Sequence, residues 1–209
     1  MITETMLDAL REELRMKMNP FRYKHTLGVE KEMRAMAALY MPTDVACAAA
    51  AGLLHDITKG FSEEEQFAYC ENNGIPISDD ERISYRILHA KTGAHYVKKH
   101  YPQFADQRIL RAIARHTTAT EDMSTFDIML YLADFIEEGR AYADCVALRR
   151  MYYENIDLRA ADKECFLREV FLKALDLSLK ELLHENRAVS LETVRARNQM
   201  LAYFSECGK

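Results

Sequence analysis

The chain contains very few residues that interrupt an α-helix. Only 7 glycines and 4 prolines occur among its 209 residues, and Leu, Met and Ala, which favour helices, are prominent. Between these breakers, apolar residues recur at the three- and four-residue spacing of an amphipathic helix. The sequence therefore predicts an all-α protein, a helical bundle with further helices at its C-terminal end.

Breakers and capping residues predict the helix boundaries. A proline pushes the residue before it out of the helical region, and Ser, Thr or Asp at a helix start accepts a backbone hydrogen bond. Residues 75–84 are interpreted as loop and turn, and the last third as two or three amphipathic helices. One of these has a predicted apolar stripe of Phe166, Val170, Phe171, Ala174 and Leu175, and another, behind a Ser190 cap, has Leu191, Val194 and Leu201. Other helices are predicted over residues 4–18, 23–40, 45–59, 62–73, 85–100, 106–117 and 124–138.

The charge of the chain disfavours binding to nucleic acid or to an anionic membrane. The formal net charge is −5, and acidic and basic residues balance over residues 141–209, so the excess acid lies in residues 1–140. An anionic substrate there would need local positive charge, which metal ions can supply. Five cysteines without a CxxC pair favour reduced thiols and a cytoplasmic location. The sequence shows neither an apolar signal segment nor a membrane-spanning run.

A histidine and an aspartate follow a strongly apolar run. His55 and Asp56 come directly after AAAAGLL, a segment that favours burial, and a buried charged pair needs compensation. A divalent metal ion provides it, because imidazole and carboxylate both bind Zn, Fe or Mn. An isolated pair of this kind is more often a solvent-facing helix end, so its interpretation depends on the other histidines and acids.

Four further residues of ligand type lie in or at the end of apolar helical segments: His25, His89, His116 and Asp134. Taken singly, each histidine could be a hydrogen-bonded core residue, and Asp134 could pair with a core Arg or Lys. Six such residues in the order H, HD, H, H, D are much less readily explained by chance. His95, His100 and His184 lack such surroundings and are interpreted as surface residues, and the tyrosines as core residues rather than a base-stacking platform.

These residues resemble the HD superfamily of metal-dependent phosphohydrolases, whose pattern H…HD…D matches His25, His55, Asp56 and Asp134. More closely, the chain resembles the YqeK-type symmetrical bis(5′-nucleosyl)-tetraphosphatases. The resemblance covers roughly residues 15–145 and is carried by the segments HTLGV, AGLLHDITK, LHAKTGAHY, ILRAIARHTT and MLYLADFIEEGR. It implies a single HD-type domain, with a core over about 18–140 and C-terminal helices over about 141–209.

The resemblance also implies a mechanism. His25, His55, Asp56 and Asp134 would hold one divalent metal ion, while His89 and His116 would hold a second, with Asp56 shared between them. Iron is the expected metal, with Mn or Mg as alternatives. A water activated by the two ions would cleave a dinucleoside tetraphosphate in its middle. A small-molecule nucleotide is then the expected partner, and a homodimer is compatible with the family.

Several residues near these motifs are candidates for holding phosphate. Lys59 follows His55 by four residues, so the two share a helical face. It is a candidate catalytic residue that binds phosphate or stabilises charge in the transition state, although a helix-end lysine facing solvent is an equal alternative. Other candidates are Arg22, Arg140, Thr117 and Thr118, for which surface ion pairs or helix caps are the default. Asp127, seven residues before Asp134, is a candidate for orienting Lys59 or a histidine.

The chain departs from the family pattern at two places, where Ala119-Thr120 and Glu138 replace the usual glycine and proline. Both lie near the expected entrance of the substrate site, so we expect them to affect substrate binding more than metal binding. The alternatives to this function are another HD nucleotide hydrolase, such as a single-metal nucleotidase or a cyclic-dinucleotide phosphodiesterase, and a non-catalytic module that senses nucleotides.

Overall fold

The computed structural model describes residues 1–206, and this part of the chain is built from α-helices joined by short turns without any strand. The predicted all-α class is confirmed. Four single turns of 3₁₀-helix lie between the longer elements. The helices are α1 (Glu4–Lys17), α2 (Pro20–Tyr40), α3 (Val45–Leu54), α4 (Glu63–Asn72), α5 (Asp79–Ile83), α6 (Leu88–His100), α7 (Gln107–Arg115), α8 (Thr125–Ile136), α9 (Ala143–Asn155), α10 (Lys163–His184) and α11 (Leu191–Glu206).

Two predicted boundaries are wrong in an informative way. Residues 75–84, expected to be loop, include α5, which begins behind a Ser78 capping box with Glu81. This S-x-x-E pattern is a helix-start signal, and the interpretation of residues 75–84 as loop did not take it into account. Helix α3 ends at Leu54 instead of continuing to residue 59, and residues 55–60 form tight turns, with Lys59 N–H donating to the Asp56 carbonyl.

The centre of the bundle is formed by α2, α3, α7 and α8, and within this group α3 and α8 each contact the other three helices. The small residues of α3 allow α2 to approach closely. At Gly52, an added Cβ atom would lie 2.8 Å from Cα of Glu30 and 2.9 Å from its nitrogen, which are backbone atoms that cannot move aside. Helix α8 is buried over most of its length, so it runs through the core and brings Asp134 to the centre.

The C-terminal helices pack against this core through α10, which contacts α8, α9 and α11. The predicted stripe of α10 is confirmed, since Phe166, Val170, Phe171, Ala174 and Leu175 are all buried. The predicted stripe of α11 is wrong, because Leu191 and Leu201 are exposed and the buried residues are Thr193, Ala196 and Met200. One buried core includes residues from Leu7 to Met200. This supports the prediction of a single domain. Over residues 1–206, no helix combines the length and apolarity that a membrane crossing requires.

Candidate metal centre

The six residues predicted as metal ligands come together near the middle of the bundle. His25 projects from α2, and His55 and Asp56 from the turn that follows α3. His89 lies in the first turn of α6, His116 directly after α7, and Asp134 in α8. The ligand atoms of two groups lie within 4.8 Å of one another, the first being His25, His55 and Asp134 and the second His55, Asp56 and His116.

The histidine rings point their Nε2 atoms at one another in pairs. His25 Nε2 lies 3.3 Å from His55 Nε2, and His89 Nε2 lies 3.1 Å from His116 Nε2. In a neutral imidazole only one nitrogen carries a proton, and the other presents a lone pair. Two lone pairs at this distance repel each other unless a cation or a proton lies between them. The arrangement therefore fits a cation-binding centre.

Both pairs share the carboxylate of Asp56. Its Oδ1 atom lies 3.2 Å from His89 Nε2 and 3.4 Å from His116 Nε2. Its Oδ2 atom lies 3.4 Å from His55 Nε2 and 3.8 Å from His25 Nε2. Oδ1 is buried and accepts no hydrogen bond within the described residues, which is costly for a carboxylate oxygen. A carboxylate divided in this way fits a ligand shared by two metal positions.

The other ring nitrogen of each histidine is held in place. His55 Nδ1–H donates to the Gly52 carbonyl at 2.7 Å and His116 Nδ1–H to the Ile113 carbonyl at 2.7 Å. His89 donates in the same way to the carbonyl three residues before it, that of Arg86. Such a bond to Nδ1 fixes the tautomer that leaves Nε2 free, as is usual for histidines that bind metals.

His25 is held differently, by Glu137. His25 Nδ1 lies 3.2 Å from Glu137 Oε1, and this buried carboxylate also accepts the Gly139 N–H. Sequence reasoning missed Glu137. No local signal in the sequence marks it, because its contacts are with His25 and with the space left by Gly28, more than 100 residues earlier.

The ionisation of the centre follows from burial and from its close contacts. Burial lowers the pKa of His55 and of His89, which favours the neutral, metal-binding form. Burial also lowers the pKa of His25, but its hydrogen bonds with Asp134 and Glu137 outweigh this and raise the value to about 9. Burial opposes the ionisation of Asp56, yet the surrounding histidines hold its pKa well below the usual range.

Two of the predicted phosphate-binding residues touch the acids of the centre. Lys59 Nζ lies 2.9 Å from Asp56 Oδ2, and Arg140 forms an ion pair with Asp134. Burial opposes the ionisation of Asp134, but Arg140 and His25 hold its pKa well below the usual range. Both cationic groups are partly exposed, so they can also reach an anionic ligand.

The other candidates divide into two that border the centre and one that does not. Arg22 has an NH1 atom that is buried without a hydrogen-bond partner among the described residues, 4.0 Å from Asp56 Oδ2. Thr117 Oγ1 lies 3.2 Å from His89 Nε2. Thr118 instead accepts a hydrogen bond from Thr193 at its carbonyl and is absent from the lining of the clefts described below.

Asp127 does not orient Lys59 or a histidine, so that prediction is wrong. Its carboxylate accepts the Ser124 N–H and closes a capping box at the start of α8. The same oxygen lies 2.9 Å from Arg111 Nε and 3.7 Å from Arg115 NH1 on α7. Asp127 therefore fixes α7 to α8, while Asp134, two turns further on, faces the centre.

The two departures from the family pattern lie off the substrate mouth. Ala119 is buried with φ 58°, a left-handed backbone conformation that favours glycine. Glu138 is exposed and pairs with Lys31 at 2.6 Å. Neither residue lines a cleft, so the expectation that these changes bear on substrate grip is not supported.

Two clefts open on either side of the centre. The smaller, about 320 Å³, includes His25 and Asp56 in its wall, and the larger, about 770 Å³, includes His89, His116 and Asp134. Three residues line both clefts: Lys59, Arg140 and Tyr142. The far wall of the larger cleft is the C-terminal end of α10, which contributes Lys180, Glu181 and His184. His184 is thus exposed as predicted, but it borders the site.

Comparison with known proteins decides the family. The family model that describes the HD domain matches residues 22–139, more than half of the chain. The chain belongs to the HD domain family. All six clustered ligands lie within the matched residues, and the histidine–aspartate pair typical of the HD family is His55-Asp56. As an HD domain, the chain has a fold that binds divalent metal ions, and its His and Asp clusters could hold them.

Among curated proteins, this HD domain is similar to several bacterial enzymes named "Bis(5'-nucleosyl)-tetraphosphatase, symmetrical". The protein from Halalkalibacterium halodurans is 29% identical over 86% of this chain and 89% of its own length. That from Staphylococcus aureus is 28% identical over 76% of this chain and 80% of its own length.

Among solved structures, the HD domain matches a protein of Clostridium acetobutylicum described as a predicted HD superfamily hydrolase involved in NAD metabolism. The TM-score is 0.80 at 28% identity, over 94% of this chain and 97% of the other. The match therefore extends over the C-terminal helices that lie beyond the HD family model.

Proposed function

We propose that this protein hydrolyses dinucleoside tetraphosphates symmetrically, giving two nucleoside diphosphates. The observation that carries the proposal is the Asp56 carboxylate, whose two oxygens face two separate groups of histidines. The named activity of its relatives in Halalkalibacterium and Staphylococcus supplies the substrate class. A hydrolase of this kind belongs in the cytoplasm with its nucleotide substrate.

The metal complement proposed is two divalent ions, with iron expected and Mn or Mg as alternatives. His25, His55, Asp56 and Asp134 would hold one, and His89 and His116 the other, with Asp56 common to both. The donor set of imidazole and carboxylate suits these metals. When bound, such a pair of ions neutralises phosphate charge and lowers the pKa of a bound water to roughly 7.

The chain's own cations would hold the rest of the polyphosphate. Lys59 and Arg140 line both clefts, next to the acids of the centre. When metal ions neutralise Asp56 and Asp134, both side chains become free to pair with phosphate oxygens. Arg22, with its unpartnered buried NH1 atom, offers a third contact on the side of the smaller cleft. Thr117 offers a hydroxyl on the other side.

The two clefts support a cut in the middle of the substrate. A dinucleoside tetraphosphate has two equal halves, and the central phosphoanhydride lies between its second and third phosphates. If one half occupies each cleft, that bond lies beside the centre, where Lys59 and Arg140 border both clefts. Water attack at one central phosphorus then releases the other half as a nucleoside diphosphate, with the bridging oxygen as leaving group.

The main alternatives remain a single-metal nucleotidase, a cyclic-dinucleotide phosphodiesterase and a silent nucleotide sensor. A single-metal enzyme leaves His89 and His116 without a role, although both turn Nε2 toward Asp56. A silent module gives no reason for four histidines to surround one buried carboxylate. A homodimer is a prediction that these observations leave open.

The decisive experiment is hydrolysis of diadenosine tetraphosphate in oxygen-18 water by anaerobically prepared protein. ADP should be the only product, with label in one ADP of each pair, because one water enters per cleavage. AMP together with ATP would contradict a central cut. Rapid turnover of a mononucleotide or a cyclic dinucleotide, with no cleavage of the tetraphosphate, would favour the alternatives.

A further inference from the structure

The smaller cleft carries two aromatic side chains that the fold does not bury. Phe21 is 86% exposed and Tyr142 is 70% exposed, although a phenyl ring in water forgoes a large hydrophobic gain. Phe21 lies in the first turn of α2, and Tyr142 directly precedes α9. They come from positions 121 residues apart in the sequence, yet both line the cleft that contains His25 and Asp56.

The same cleft contains a concentration of positive charge. Four cationic side chains contribute to its wall: Arg22, Lys24, Lys59 and Arg140. The acid Glu137 in the same wall is buried and pairs with His25. A site with cations beside a metal centre and exposed aromatic rings along its lining matches the two ends of a nucleotide. Its phosphates require charge, and its base requires a flat apolar surface. The cleft volume of about 320 Å³ is within the usual range for small-molecule sites.

We propose that Phe21 and Tyr142 stack against the base of the nucleotide half that occupies the smaller cleft. The inference rests on the proposed function and extends it to base recognition, which the HD ligands do not address. Stacking uses the face of the base, which every base has, so it discriminates little between them. The cleft should therefore accept adenine and guanine alike. The tyrosines were interpreted as core residues, and for the exposed Tyr142 that prediction is wrong.

A fluorescence experiment tests the stacking without requiring turnover. The chain contains no tryptophan, so Phe21→Trp introduces a single indole whose emission is quenched when a purine stacks on it. ADP should quench the metal-loaded variant in a saturable manner, and inorganic pyrophosphate should not. Leu158→Trp, at another highly exposed apolar position outside both clefts, should respond to neither. An equal response of Phe21→Trp to ADP and pyrophosphate, or no response to either, would overturn the inference.

Steady-state kinetics supply the second test. Phe21→Ala and Tyr142→Ala should each raise KM for diadenosine tetraphosphate by roughly 5- to 150-fold, the range that follows from loss of one stacking contact. The effect should fall mainly on KM rather than kcat, and Phe21→Tyr should restore the original KM. Because both rings are exposed, the alanine variants lose no packing and should fold normally.

The outcomes separate this inference from the proposed function. If the parent protein cleaves the tetraphosphate centrally while Phe21→Ala leaves KM unchanged, the stacking inference fails and the proposed function stands. If the parent protein does not cleave the tetraphosphate, but ADP quenches Phe21→Trp selectively, the proposed function fails and the stacking inference stands. A change of oligomeric state in Phe21→Ala, without a change in KM, would show that the rings contact another protein chain and would overturn the inference.

Discussion

The metal centre is built differently on its two sides. On one side His55, His89 and His116 are buried, and each is held by a backbone carbonyl three residues before it. On the other side His25 and Asp134 keep 12% and 15% of their side chains exposed. These two are held by the side chains of Glu137 and Arg140.

This difference separates a preformed part of the site from an adjustable part. A backbone carbonyl cannot titrate and moves only with its helix, so the first side is fixed by the fold. The side chain of a glutamate or an arginine can change its rotamer or its partner without any movement of its helix. On the adjustable side, His25 and Glu137 line the smaller cleft, Asp134 lines the larger one, and Arg140 borders both. We expect mutations on the two sides to differ in what they disturb.

The largest effect is expected on the fixed side. His89→Ala and His116→Ala should each lower the metal content and reduce activity by more than about 100-fold, because loss of an outer contact alone costs roughly 10- to 100-fold. The fold should persist, as circular dichroism would report. Metal analysis of anaerobic protein measures the stoichiometry, with His95→Ala, at a histidine bonded to Tyr69 away from the centre, as control. A fully active parent protein with one metal per chain would contradict the dinuclear proposal.

Lys59→Met should give the next largest effect and separate catalysis from metal binding. Loss of a buried donor to developing charge costs roughly 100- to 1000-fold in kcat, but Lys59 is 35% exposed, so a loss of about 10- to 100-fold is expected. Metal content should not change. Lys31→Met, which removes an exposed lysine paired with Glu138, is the matched control. Kinetics like those of the parent protein would leave Lys59 only its structural ion pair with Asp56.

Glu137→Gln tests the adjustable side directly. An amide keeps the shape and one acceptor oxygen but removes the charge that faces His25. Metal affinity should therefore fall by about 10-fold, the low end of the range for outer contacts, as competition with a chelator would measure. Glu138→Gln alters the neighbouring exposed acid and should leave metal affinity unchanged. If both variants bind metal as the parent does, side-chain control of His25 is not needed and the contrast between the sides disappears.

The smallest effect is expected at Ala119, close to His116 on the fixed side. Glycine there would relieve a left-handed conformation that costs roughly 1–2 kcal/mol but would lose a buried methyl group worth about 0.8 kcal/mol. Ala119→Gly should therefore change the free energy of unfolding by about 1 kcal/mol or less, measured by urea denaturation. Metal content should not change, because the carbonyl that holds His116 belongs to Ile113. Loss of metal would mean that the fixed side depends on its local backbone more than proposed.

The sequence predicts which His and Asp residues come together at the centre, because several of them conflict with their surroundings. Asp134 lies inside an apolar helix and His55-Asp56 follows an alanine-rich run, and such placements need a compensating partner. Asp127 shows the limit of this reasoning. Its spacing from Asp134 puts both on one helical face, but the local Ser124 cap and the distant Arg111 explain it better. Only the first of these two contacts was readable in the sequence.

Features that depend on several helices at once could not be predicted. Glu137 is identified only when α2 and the end of α8 are side by side, because its contacts with His25 and Gly28 span more than 100 residues. The α11 stripe was displaced for a similar reason. Thr193 faces inward and donates a hydrogen bond to the Thr118 carbonyl, a contact between residues 75 positions apart in the sequence. The clefts could not be predicted for the same reason, since one wall of the larger cleft comes from α10.

The close approach of α2 and α3 makes a residue without a side chain part of the metal chemistry. Gly52 sets the distance between α2, which carries His25, and α3, which directly precedes His55, and its own carbonyl orients the His55 ring. Any larger residue there has to move α3 against the backbone of Glu30, and His55 would move with it. Gly52 therefore limits how far the spacing of α2 and α3 can change without disturbing the centre, although it contributes no ligand side chain.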